Sequence, residues 1–245
     1  MDHMIWAAVI VASLIAGSIQ SITGFGAAMF LMMFLSPLLD LVIAPALSSA
    51  ISVGLTVMLA WRFRKEIDLR LTLFPAVIYL SASTSIISVI HYMNLELLSL
   101  AFGVFLIVLS VYFLAFSSRA HIQANWKSAL VCALVSGICS GLFGIGGPLM
   151  ALYFLAATES KEAYVGNLQF LFSITSVSNL ITRVVRGIYT WELLPLTILG
   201  FVSINIGKRI GLKALQKLDT ASVKKIVYAF IGVSGVINVA EYFLK

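Results

Sequence analysis

The chain has 245 residues, of which 61% are hydrophobic and only 11% charged, with a mean hydropathy of +1.06. Soluble domains run at roughly 45–50% apolar and about 25% charged, so this composition indicates an integral membrane protein. The net charge of +6 does not point to nucleic acid, because the basic residues fall in short loops between apolar runs, where cytoplasmic anchoring explains them.

Apolar segments of helical length recur along the whole chain, and the alternating ten-residue pattern of a membrane β-barrel is absent. The first half contributes segments at residues 5–22, 25–39, 42–61, 71–92 and 95–116, and the second at 128–143, 148–157, 163–185, 193–206 and 221–243. Met1 to Met4 lacks the basic region of a cleavable signal, so 5–22 is expected to stay as the first helix. The segments opening at Phe25 and Pro148 are too short to cross a hydrocarbon core about 30 Å thick, and are expected to be broken or hairpin helices.

Two glycine-rich stretches punctuate this pattern. Ser21-Ile-Thr-Gly-Phe-Gly-Ala-Ala28 and Ser140-Gly-Leu-Phe-Gly-Ile-Gly-Gly-Pro148 repeat at an offset of 120, with Gly17, Gly24 and Gly26 matching Gly137, Gly144 and Gly146. The sequence therefore reads as an all-α polytopic membrane protein of two repeats, 1–116 and 127–245, joined by a polar linker at 117–126, with 8 to 10 crossings. If each repeat crosses an odd number of times, the repeats are inverted. That parity puts 13 of the 16 basic residues on the cytoplasmic side, leaving Arg183, Arg186 and Lys245 outside with both termini. Residues 62–70 and 207–219 then face the cytoplasm, with Lys213 and Lys217 either on a basic surface helix or in a solvated loop.

A break in a membrane helix frees backbone N–H groups, and the helix that resumes beyond it aims its positive end at the same spot. Such a spot suits an anion. Gly144, Gly146 and Gly147 are the first candidates for this cradle, with Gly24, Gly26 and Ala27 as their counterparts; close helix packing is the alternative use of the same glycines. Gln20, Ser21 and Thr23 lie beside the first break as side-chain candidates. Gln169, Ser173, Ser176, Asn179, Arg183 and Arg186 share one face of their helix and predict a lining for a pathway. Asn167, Gln169 and Asn179 offer amides to orient a substrate, and Arg183, near the outer end, would draw anions in. Ser49, Ser52 and Thr56 form a thinner, uncharged stripe in the first half.

No acidic residue falls in the middle of a span, so the usual carboxylate proton carrier is missing. No nucleotide-binding loop, zinc-protease motif, serine-hydrolase elbow or metal-ligand cluster occurs, which argues against an enzyme and against a cofactor.

The glycine breaks, Ala163-Tyr-Val-Gly-Asn167 and Arg186-Gly-Ile-Tyr-Thr-Trp191 resemble the TauE/SafE sulfite exporter family. The resemblance implies a secondary transporter for a small anion, a sulfur oxyanion or organosulfonate, in a bacterial-type inner membrane. The first repeat departs from it, with Gly26-Ala-Ala28 where the second has Gly146-Gly-Pro148. Coupling to a proton or sodium ion, direction, and a homo-oligomeric state stay open, as do an anion channel and a membrane assembly subunit.

Overall fold

The computed structural model describes residues 3–116 and 123–214, and beyond them residues 232, 233, 235, 236, 239, 240, 242 and 243. Helices are the only regular structure among the described residues: α1 (His3–Thr23), α2 (Ala27–Leu35), α3 (Ile43–Arg62), α4 (Leu69–Val89), α5 (Leu95–Phe116), α6 (Trp126–Phe143), α7 (Gly147–Ala157), α8 (Lys161–Val185) and α9 (Leu194–Ala214). Six of these regions are long and apolar enough to cross a membrane: His3–Ser21, Ile43–Arg62, Leu69–Tyr92, Trp126–Phe143, Lys161–Val185 and Trp191–Ile210.

Local signals set the helix starts. Asp68 accepts from the N–H groups of Arg70 and Leu71 to open α4, Asn125 and Ser128 form a capping box at α6, and Ser160 caps α8; each satisfies donors the first turn leaves free. The sequence ended the ninth segment at Ile206, but α9 runs on through Gly207, Lys208 and Arg209 to Ala214. Gly207 there is a packing notch and not a stop, since a side chain at it would run into the Leu14 carbonyl. Lys213 thus sits on helical backbone, whereas Lys217 and most of the linker lie outside the described residues.

The short helices behave as their lengths demand. With nine residues, α2 reaches about 13 Å at 1.5 Å per residue, less than half the hydrocarbon thickness. Its Met29, Phe30, Leu31, Met32, Met33 and Leu35 are all buried, so it lies inside protein on every side. That shelters the irregular backbone at its ends from lipid.

Packing crosses between the halves. α1 lies on α9 and α4 on α6, while α3 meets α8. Gly17 abuts the carbonyl of Ile204, and Ser18 Oγ donates to the carbonyl of Gly207 at 2.8 Å. In the other pair a Cβ at Gly137 would stand 2.6 Å from the carbonyl oxygen of Tyr79. Small residues let helix backbones approach this closely where no hydrophobic effect drives association. The remaining main contacts complete two groups: α1, α2, α3 and α9 pack together, as do α6, α7, α8 and α4. Each group takes three helices from one half and one from the other, and they meet chiefly where α3 runs against α8. Exchanging each helix for its counterpart in the other half leaves this pattern unchanged.

Candidate functional site

Both glycine stretches break the chain where the sequence expects it. Gly24 and Gly26 have φ of 82° and 108°, and Gly144 has 70°, a left-handed backbone that glycine adopts without steric cost. The breaks close in the same way: Gly24 N–H bonds the carbonyl of Gln20 and Gly144 N–H that of Ser140, each at 2.9 Å. Gly146, at φ −119°, is needed for space. A side chain there would collide with the Tyr79 hydroxyl and stand 2.6 Å from the Ser136 carbonyl oxygen.

Between the breaks lies a cavity of about 50 Å³, room for several waters or one small polyatomic ion, since a single water needs about 10–15 Å³. Its wall takes Gln20, Gly26, Ala28 and Met29 from the first break, and Ser140, Gly144, Ile145, Gly146 and Gly147 from the second. α3 adds Ser49, Ser52 and Thr56, α4 adds Tyr79, and α8 adds Phe172, Ser176 and Asn179. All of these side chains are uncharged.

The two ends of the cavity differ. At the first break the Ala27 N–H is occupied by Gln20 Oε1 at 3.2 Å. At the second, Pro148 stands in the first turn of α7, and Gly146 and Gly147 donate none of the loop or cap hydrogen bonds among the described residues. The Gly-Gly-Pro end therefore keeps amides in reserve, and the Gly-Ala-Ala end has spent one internally. Ser49, Ser52 and Thr56 donate back to the carbonyls of Pro45, Ser48 and Val53, the habit of hydroxyls in membrane helices.

The polar face of α8 points inward, but its residues divide the work. Asn179 lines the cavity, donating to Ser140 Oγ at 3.1 Å and accepting from Ser83 Oγ at 2.8 Å. Gln169 sits behind the first break, donating to the Gly24 carbonyl and accepting from Gln20 Nε2 at 3.5 Å. Asn167 is elsewhere. Its oxygen accepts from the Asp68 N–H and Thr72 Oγ1, both at 2.8 Å, and its nitrogen donates to the carbonyls of Glu66 and Ala163. With its bonding capacity taken up by the turn between α3 and α4, it is not part of the cavity wall. The side chain of Thr23 lies outside the described residues, and Gly24 shapes the break without lining the cavity.

Arg183 differs most from its expectation. The sequence put it near the outer mouth, yet it is fully buried. Its Nη2 donates to the carbonyls of Gly141 at 2.9 Å and Ser140 at 3.4 Å, at the end of α6. A cation is favourable at a helix C-terminus, where carbonyls lack intrahelical partners. Nε and Nη1 have no partner among the described residues. Arg186, by contrast, is exposed and reaches Ser88 Oγ at 3.0 Å.

The sequence missed Tyr79, Ser83 and the lining role of Ser140. The first two stand on α4, where a tyrosine and a serine in an apolar helix read as core, and only the crossing of α4 over α6 brings them to the site.

A model of the sulfite exporter TauE/SafE family matches residues 9–237. The chain belongs to the TauE/SafE family. It is also similar to a "Probable membrane transporter protein" of Methanocaldococcus jannaschii, 24% identical over 160 residues, with 60% of this chain and 59% of the relative covered. The chain thus spans under two thirds of that relative's length. No solved structure matches. As a TauE/SafE protein with six candidate spans, the chain is a multi-pass membrane protein of a transporter family, and the cavity between its breaks is the candidate substrate site.

Proposed function

We propose that this TauE/SafE protein is a secondary transporter that carries a small anion, a sulfur oxyanion or organosulfonate, across the inner membrane by alternating access. The observation that carries the reading is the cavity to which both glycine breaks contribute. Irregular backbone inside a membrane is tolerated where it lines such a space, and half-helix N-termini at a site between repeats suit an anionic passenger. The family and the archaeal relative agree with transport, and the helix pairing agrees with two repeats, which in this reading are 1–116 and 127–245, inverted and joined by a cytoplasmic linker.

In this mechanism the amides of Gly146 and Gly147 hold oxyanion oxygens, with the hydroxyls of Tyr79, Ser140 and Ser176 and the amide of Asn179 around them. Gln20 and Gln169 keep the first break in shape. The moving bodies are the two four-helix groups, because separating the sequence halves would pull apart the glycine-notched pairs α1–α9 and α4–α6. The groups rock along α3 and α8, whose facing polar residues Ser52, Thr56, Ser176 and Asn179 open to one side at a time.

Purified protein in lipid vesicles, offered radiolabelled sulfite or methanesulfonate, is expected to give saturable uptake accelerated by the same anion inside. Rapid, non-saturating flux would instead favour a channel, and no flux of any small anion would favour an assembly subunit.

A further inference from the structure

We propose that Arg183 is a fixed countercharge that sets the valence of the passenger at minus one, so that the cavity selects singly charged oxyanions over doubly charged ones of the same shape. The inference rests on the anion-transport reading. Arg183 is fully buried, and among the described residues its guanidinium bonds only to backbone carbonyls, which orient it without cancelling its charge. Among the described residues no carboxylate takes up its Nε and Nη1.

Ser140, whose carbonyl it holds, and Asn179, one helical turn before it, are both wall residues. The charge therefore stands directly behind the wall. Since every lining side chain is neutral, with Tyr79 the only titratable one among them, the region carries one positive charge when empty, none with a monoanion and one negative charge with a dianion. A net charge in a low-dielectric interior is expensive, and a cavity of about 50 Å³ leaves no room for the hydration shell that would offset it. The monoanion alone leaves the filled site neutral.

Two probes of nearly one shape separate charge from size. Methanesulfonate carries a single negative charge from mild acid to mild alkali, whereas methylphosphonate passes from one charge to two over that range. In wild-type vesicles both are expected to compete with labelled methanesulfonate in mild acid. In mild alkali competition by methylphosphonate should weaken about tenfold, in step with loss of its monoanion, while unlabelled methanesulfonate, the control for any change in the protein, stays constant. Arg183→Lys should keep both affinity and preference, and Arg183→Gln, if it folds, should bind methanesulfonate at least about tenfold more weakly, because even the monoanion then leaves the filled site with a net charge. Equal competition by the dianion in wild type, or wild-type affinity for methanesulfonate in folded Arg183→Gln, overturns the assignment while leaving anion transport standing. If no small anion binds or moves, the transport reading itself fails and this one with it.

Discussion

Gln169 of α8 donates its side-chain amide to the carbonyl of Gly24, 145 positions earlier in the chain. One half of the sequence thereby holds the helix break of the other, and the same amide group accepts from Gln20, whose oxygen receives the Ala27 N–H. Gln169→Leu leaves the Gly24 carbonyl and the Gln20 amide buried without partners. The expected cost is about 1–3 kcal/mol, read as a lower melting temperature in detergent together with reduced transport. An unchanged melt would mean that the first break holds itself.

Asn167→Ala separates fastening from substrate contact. Asn167 secures the turn between α3 and α4 through three hydrogen bonds, with a fourth to Ala163 of its own helix, so its loss is expected to cost about 2 kcal/mol of stability. KM of the protein that remains folded should hold at the wild-type value. A raised KM at normal stability would return Asn167 to the substrate site.

Gly146→Ala should abolish transport, because the new methyl group meets the Tyr79 hydroxyl and the Ser136 carbonyl at the cavity wall. Gly187→Ala is the control. It has φ of 71° with nothing within 4 Å, so it costs about 1–2 kcal/mol of backbone strain and should leave transport rates near normal once membrane levels are matched.

Asn179→Asp preserves shape and places a carboxylate in the wall one turn from Arg183. Unit charges about 4 Å apart attract by about 4 kcal/mol at an effective dielectric of 20, enough for the new carboxylate to compete with a bound anion. Apparent affinity for methanesulfonate is expected to fall by about tenfold or more, with folding retained. Unchanged affinity, measured by vesicle uptake, would remove Asn179 from the site.

Orientation is open to direct labelling. After replacement of Cys132 and Cys139, a membrane-impermeant thiol reagent on intact cells should modify Glu192→Cys and spare Arg64→Cys, both positions being exposed. The reverse pattern would invert the proposed topology.

The sequence revealed what depends on near neighbours. The breaks at Gly24–Gly26 and Gly144–Gly147 were visible because glycine spacing acts locally, and the inward face of α8 because a 3.6-residue period puts Gln169, Ser173, Asn179 and Arg183 in one line. Most helix bounds followed from hydropathy. Depth and partnership did not. Arg183, two residues from the end of α8, reads in the sequence as an interfacial residue, and only the fold sets the end of α6 beside it. Asn167 and Asn179 looked alike on their helix, and only the turn at 66–72, nearly a hundred residues away, distinguishes them. Tyr79 left no local sign, since its place in the wall comes from the crossing of α4 and α6.

The lending of one helix by each half to the other also sets an order of assembly. α1 leaves the ribosome well before α9, and its notched face meets that helix only when Gly207, 189 positions after Ser18, has been made. Until then α1 waits in the bilayer without its main packing partner, and long-range contacts of this kind are slow to form. Chains truncated before residue 194 should therefore stall as protease-sensitive intermediates, whatever the helical propensity of the part already inserted.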